Sequence, residues 1–243
     1  VDLSKEKHEF DTLMRDLPSM PMAIYAICLV LMNIFANKSI SFTSEYIALD
    51  AGTFFSWYVF LMMDTVTKRF GAKAANEIAI VGFVLNMCAS LMFFFCSSVP
   101  GVWSESFSSG AEDAVNAAID NTFRGTWFVI LGSAIAFLTS AFVNNFLNAG
   151  IGALIKKDDF ISFCFRTYSS TIVGQFVDNF IFSMIVSHTF FGWSIVQCIS
   201  AAFLTMLIEV LFELIFAPLG YHIARRWERD GIGKEYLALR AKA

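Results

Sequence analysis

Thr171-Ile172-Val173-Gly174-Gln175-Phe176-Val177-Asp178-Asn179-Phe180-Ile181-Phe182 places one acid and two amides inside a run of Phe, Ile and Val. In water that would be an oddity. At membrane depth a central ionisable group costs from about 3 to more than 10 kcal/mol, depending on the reference state. A chain accepts that cost where the group faces a cavity, a partner or a cargo. Thirty-four residues earlier the chain reads Ser140-Ala141-Phe142-Val143-Asn144-Asn145-Phe146, against Gly174-Gln175-Phe176-Val177-Asp178-Asn179-Phe180. Phe, Val, Asn and Phe recur in register, and Asn144 stands where Asp178 stands. That is the pattern expected if two halves each contribute one wall of a midplane site, as internal repeats do in many transporters.

Composition decides the class. The chain has 57% hydrophobic and 16% charged residues, with 28 Phe among its 243 residues, and a mean hydropathy of +0.63. A soluble domain runs at about 45–50% apolar and about 25% charged, so this sequence reads as an integral membrane protein. Its cysteines, Cys28, Cys88, Cys96, Cys164 and Cys198, form no CxxC pair and lie in or beside apolar segments. They read as small hydrophobes, not as a disulfide frame or a metal site. The first apolar run follows a charged leader, is full length and lacks a small-residue cleavage site, so it is expected to act as its own insertion signal.

A bilayer core of about 30 Å needs roughly 20 apolar residues per crossing. Six segments qualify, and the expected architecture is an all-α polytopic membrane protein with six transmembrane helices. Residues 1–21 are a charged leader, 22–218 the six-helix domain and 219–243 a basic tail. The helices are expected from Met22 to about Asn37, Ala51 to Thr67, Ala75 to Cys96, Trp127 to Ile155, Ile161 to Phe190 and Ser194 to Pro218. The link 38–50 has room for an extended piece, and 111–121 for a separate surface helix. Lys and Arg alternate along the connections: three in the leader, one in the first link, three in the second, one in the third, three before and entering the fifth helix, none near His188 and six in the tail. By the positive-inside rule this places both termini in the cytoplasm. Trp103, Trp127 and Trp193 fall at the expected outer boundary and Trp227 at the inner one, as interfacial anchors do.

Polar and small residues recur four apart, which puts them along one slowly drifting helix face. The fourth helix has Gly132, Ala136, Ser140, Asn144 and Asn148; the sixth has Gln197, Ala201, Thr205, Glu209 and Glu213. Trp57 and Asp64 share a face of the second, Asn33 and Asn37 one of the first, and Gly174 and Asp178 one of the fifth, with Gln175 adjacent. Gly132, Ala136 and Ala201 read as close helix packing. Asp64, Asp178 and Glu209 each need a partner or a proton. Lys68 is one turn from Asp64 and is expected to neutralise part of it, while Glu213 is placed to pair with Arg225 or Arg226. Arg166 reads equally as a snorkelling anchor or a ligand, and His188 as a solvated boundary residue.

The substrate-binding set is therefore Asn33, Asn37, Trp57, Asp64, Asn144, Asn148, Gln175, Asp178, Asn179 and Glu209. A carboxylate accepts two N–H bonds, an amide returns one bond of each kind, and aromatic rings stack on a flat face. That chemistry suits a small planar heterocycle better than an inorganic cation, whose oxygen cage needs no aromatic floor. No HExxH, GxSxG, Ser/Lys or His/Cys set is present, so no catalytic residue, metal or cofactor is expected.

The first helix ends Asn33-Ile34-Phe35-Ala36-Asn37-Lys38; the second carries Phe60-Leu61-Met62-Met63-Asp64, then Arg69-Phe70-Gly71-Ala72-Lys73-Ala74. The fourth reads Ala134-Ile135-Ala136-Phe137-Leu138-Thr139-Ser140, and the fifth joins Ser170-Thr171 to Gln175-Phe176-Val177-Asp178 and Ile181-Phe182. Together these resemble the VUT family, also called the YhhQ-type queuosine precursor transporters, over almost all of 22–226. The resemblance implies a six-helix bacterial inner-membrane protein that takes up 7-deazaguanine compounds, with Asn33, Asn37, Asp64, Gln175 and Asp178 as binding residues. Family members commonly carry Gln and Asp where this chain has Ala141 and Asn144, and an acid where it has Lys68. Such swaps alter the donor–acceptor code that selects one precursor over another.

The expected partners are the planar guest and the lipid bilayer, with no nucleic acid; a homodimer, a coupling proton and an ATPase module stay open. Two other classes compete. One is the substrate-binding subunit of an energy-coupling-factor vitamin importer, which has six helices and an Ala-xxx-Ala contact face that Ala23 and Ala26 do not match in spacing. The other is a scaffold protein whose polar rows glue helices together.

Overall fold

Pro18 has no backbone N–H and its ring blocks the preceding turn. The first helix, α1 (Leu3–Asp16), therefore ends there, and α2 (Ser19–Phe35) restarts at 98° to it. The computed structural model describes residues 3–40, 42–44, 46–104, 112–154 and 160–241; the side chains of 144, 145, 148, 149, 152–154 and 160–168 lie outside the description. After α2 a two-stranded antiparallel hairpin pairs β1 (Ser39–Ile40) with β2 (Leu49–Asp50), Ser39 opposite Asp50. This is the extended piece expected in the first link. Then follow α3 (Thr53–Phe70), α4 (Ala72–Cys96), α5 (Glu112–Leu154) and α6 (Phe160–Phe182). A π-helical turn (Ser183–Ser187), α7 (His188–Phe191), α8 (Ile195–Arg229) and α9 (Lys234–Ala241) complete the described chain.

Four stretches are long and apolar enough to cross a membrane: α4, α5 as far as Val143, Ser169–Phe191 and α8, while α1 with α2 makes a fifth if the bent pair is one span. These cover five of the six expected positions. The remaining one is α3, which loads Asp64, Lys68 and Arg69 into 18 residues. The outward faces agree with a lipid surround. Ile80, Leu91, Met92 and Phe95 on α4 and Phe142 and Phe146 on α5 are each more than 60% exposed, a display that soluble monomers avoid.

Two helices run further than the sequence patterns set them. The expected surface helix at 111–121 is continuous with the fourth span, because nothing between Glu112 and Arg124 breaks a helix and Ala114, Ala117 and Ala118 favour one. Likewise α8 passes through Pro218 and continues to Arg229. One lost hydrogen bond kinks a helix without ending it when tertiary packing holds both sides.

The chain divides into two compact units: Val1–Met32 with Phe54–Asn86 and Leu211–Ala243, and Asn33–Thr53 with Met87–Val210. In the first, Leu13, Met62, Val66 and Tyr236 are fully buried and pack with Val59, Phe70, Ala74, Ile78 and Trp227. Each such Leu, Val or Met side chain contributes about 1.5–3 kcal/mol. Gly233 adopts φ +80°, and a Cβ there would fall 2.5 Å from the Phe70 ring, so only glycine lets the chain turn this close. Charged groups lace the same region. Lys73 bonds Glu6 at 2.8 Å and Glu9 at 2.9 Å, Arg15 pairs with Glu235, and the Tyr236 amide donates to Asp16 at 3.0 Å. The expected charged leader is thus a helix docked on the α3–α4 turn and on α9.

In the second unit α5 and α6 lie along each other. A Cβ on Gly132 would stand 2.4 Å from Val186 Cγ2, and Ala136 is fully buried, so the small residues do mark close packing. Val186 lies in the π-helical turn, where the fifth span was expected to run on unbroken to Phe190. Around it Ala36 and Val129 form one cluster, and Ala48, Trp193, Cys198 and Ala201 another. The segment after α4 is tied to α5 by Arg124, donating to the Ser97 carbonyl at 2.6 Å, and by the Trp103 indole, donating to Asp120 at 2.8 Å.

Candidate functional site

Within α6, Gln175 and Asp178 are three apart and Gln175 and Asn179 four apart, so the three share one face. The second unit brings two further helices to that face. Ser140 of α5 donates its hydroxyl to Asp178 Oδ1 at 3.0 Å. Glu209 of α8 accepts the Asn179 amide N–H at 2.8 Å, and the same Nδ2 bonds the Gln175 backbone carbonyl at 2.9 Å. Both amide hydrogens of Asn179 are therefore committed. Asp178 and Asn179 fasten α6 sideways to two different helices, and Gln175 stands one turn away from them.

The Gln175 side-chain oxygen is buried and accepts no hydrogen bond among the described residues. A buried acceptor left unmade costs about 1–3 kcal/mol, and native chains keep few of them. Asp178 forms no ion pair with any described residue, is only half buried, and its Oδ2 is not tied by Ser140. The cluster thus sets a carboxylate and an amide oxygen with no donor among the described residues one turn apart on one helix. Such a pair receives N–H donors.

The other expected residues are placed as follows. Asn33 is buried and Asn37 half buried, both at the end of α2 in this same unit. Asn37 turns its Nδ2 to the carbonyls of Ile34, at 3.0 Å, and Asn33, at 3.4 Å, so its donors cap the helix end. Asn144 and Asn148 fall on α5, but their side chains lie outside the described residues, as do those of Cys164 and Arg166. Trp57 and Asp64 belong to the first unit. There Trp57 stacks on Phe216, centroids 4.6 Å apart and planes 26° apart, so one ring face is covered.

Asp64 is exposed, with the Glu213 carboxylate within Coulombic range. The cations expected beside these two acids are engaged elsewhere. Lys68 sits over the Tyr221 ring, 4.8 Å from its centroid; Arg225 bonds Glu228 at 2.8 Å, and Arg226 lies 3.6 Å from Asp230. Each cation found a neighbour within one turn of its own helix end, or an aromatic face, before it could reach the acid. His188 is exposed, with Nδ1 bonding the Trp193 carbonyl.

Ser140 is the site residue that the sequence reading left among the packing rows. The signal was present: it occupies the same four-residue row as Asn144, and its hydroxyl is the polar exception among Gly132 and Ala136. A hollow of about 200 Å³ lies away from this cluster, lined by Cys96, Pro100, Trp103 and Asp120. Its one acid is already bonded by the Trp103 indole and Asn116, so it adds no free recognition group.

Chemically, the arrangement presents oxygen acceptors, the set that N–H donors pair with. A family profile described as "Putative vitamin uptake transporter" matches residues 50–223, well over half of the chain and including the α6 cluster. No curated protein and no solved structure matches the chain. The chain belongs to the vitamin uptake transporter family, whose members are membrane transporters and not enzymes.

Proposed function

We propose that this multi-pass membrane transporter imports a queuosine precursor of the 7-deazaguanine type across the bacterial inner membrane. The observation that carries the reading is the pairing on α6 of Gln175 Oε1, a buried acceptor with no donor among the described residues, with the Asp178 carboxylate one turn away. A 7-deazaguanine presents adjacent N–H donors on one flat edge, and a carboxylate accepts two of them at once. Asn33, Asn179 and Glu209 belong to the same cluster-bearing unit and are proposed to complete the site from α2, α6 and α8. Asn37, Asn144 and Asn148 are proposed as further wall residues.

In this reading the chain crosses six times with both termini in the cytoplasm. Helix α3, about 27 Å long at 1.5 Å per residue, supplies the span whose charges gather in its last turns. Glu209 or Asp64 carries a coupled proton if import is proton-driven, and a homodimer is the expected assembly.

The test is retention of a radiolabelled 7-deazaguanine by the purified protein and by an Asp178→Asn variant. Charge-assisted hydrogen bonds are worth about 1.5–3 kcal/mol, so the variant should bind on the order of 10- to 150-fold more weakly. Equal retention by the two proteins contradicts the assignment. The family's description as a vitamin importer keeps one rival in play: stable co-purification with an ATPase module, and retention of a vitamin instead, would identify an energy-coupling-factor subunit.

A further inference from the structure

We infer that α1 is an interfacial membrane anchor, lying along the bilayer surface with the Leu3–Phe10–Met14 stripe against the acyl boundary. Residues 3, 10 and 14 fall within roughly 40° of one another on a helix of 3.6 residues per turn. Leu3 is 81% exposed and Met14 41% exposed, although both are large and apolar. The face that packs on the protein is a different one: Glu9, Thr12 and Leu13 are its buried members. Leu3 and Met14 therefore stay uncovered within the described part of this unit, with half-buried Phe10 between them, and two observations say what covers the stripe.

The first is the bend. Because α2 leaves α1 at 98°, an α2 that crosses the bilayer with the ordinary tilt of about 20° lays α1 near the membrane plane. The second is continuity. Met20, Ile24 and Ile27 are all exposed, and their spacing puts them on one face of α2, the face that meets lipid in a membrane-embedded helix. In this proposal the apolar stripe of α1 carries that lipid-facing surface around the corner at Pro18. Lys7, exposed and beside the stripe, can keep its ammonium among the headgroups while its stem follows the apolar side. Helices with one apolar and one charged face sit about 5–10 Å into this boundary, and the covalent link to α2 means that only a small apolar area is needed to hold α1 there.

The test uses the full chain in vesicles of phosphatidylethanolamine and phosphatidylglycerol. A nitroxide is placed at Met14→Cys or at His8→Cys, with the native cysteines replaced. His8 is exposed and projects roughly 140° away from the stripe. The label at 14 should collide with dissolved oxygen at least about twofold more than the label at 8, and with a water-soluble nickel chelate correspondingly less, because oxygen concentrates in the apolar boundary that the helix face enters. Equal exposure of both labels to the chelate overturns the anchor. A label at 14 shielded from both probes also overturns it, since a second copy or another protein would then be the occupant. If the cysteine-replaced chain does not fold, a coumarin amino acid inserted at 14 leaves every cysteine in place. Its emission should shift to the blue on reconstitution while that of the same probe at 8 stays put, and no shift at 14 overturns the proposal.

Discussion

Replacing Gln175 by Met separates a recognition group from a structural one. Met keeps the unbranched length of Gln and removes both polar ends, so packing around α6 is nearly conserved. Among the described residues the Gln175 oxygen is buried without a donor, a penalty of about 1–3 kcal/mol. The variant removes that penalty, and at roughly 2–4 °C per kcal/mol for a chain of this size the unliganded thermal midpoint should rise by several degrees. The same change deletes one hydrogen bond to the guest, and affinity for a 7-deazaguanine should fall on the order of tenfold, about 1.4 kcal/mol. Thermal melting in detergent with and without ligand, followed by equilibrium binding, reads both quantities on one preparation. A midpoint that falls while affinity stays the same would show that Gln175 holds the fold together, and would refute the recognition role.

Two other perturbations test the frame around the cluster. Gly132→Ala puts a methyl where the Val186 side chain stands 2.4 Å away. It should destabilise the protein by about 1–3 kcal/mol, measurable as a lowered thermal midpoint, whereas Gly150→Ala, with open space around the site, should change it little. Asp50 accepts the Gly52 amide at 2.9 Å, yet burial outweighs that bond and pushes its carboxyl up to about 7. A carboxyl raised in the folded state is cheapest when protonated, so its contribution to stability should be lost as pH rises from about 4 to 7. Asp50→Asn should flatten that slope in melts across the same range; a variant with the parent's pH profile would show that Asp50 titrates normally.

The apolar runs, the acid at 178 with its amide neighbours and the close packing of Gly132 and Ala136 were all legible, because each is a local pattern that the bilayer or the helix period enforces. The ties of that acid and amide were not. Ser140 to Asp178 and Asn179 to Glu209 join residues 38 and 30 apart in sequence, and nothing local says which row faces which. Helix ends were misread where a breaker residue competes with tertiary packing: Pro218 marks the close of a span on composition, yet α8 carries on to Arg229. The partners of Lys68 and Arg225 were misjudged for a related reason. A surface cation has several neighbours of similar energy, each worth about 0.2–1 kcal/mol, so sequence spacing alone does not choose between Asp64 and the Tyr221 ring. Trp57 and Asp64 belong to a different unit from the α6 cluster because of how distant segments group, with residues 54–86 joining 1–32 and 211–243. No short motif carries that information.

The central claim is that acceptors held open on α6 take a flat, donor-edged guest through the membrane. Uptake of labelled 7-deazaguanines into bacterial cells that lack both their own synthesis and their own transport of these compounds tests it most directly. Cells expressing this chain should accumulate the label, and those expressing the Asp178→Asn variant at the same membrane abundance should lose about 90% or more of that uptake, the tenfold that one charge-assisted bond supplies. Cells that fill equally well with parent and variant, or that fill with neither while the protein is abundant in the membrane, would contradict it.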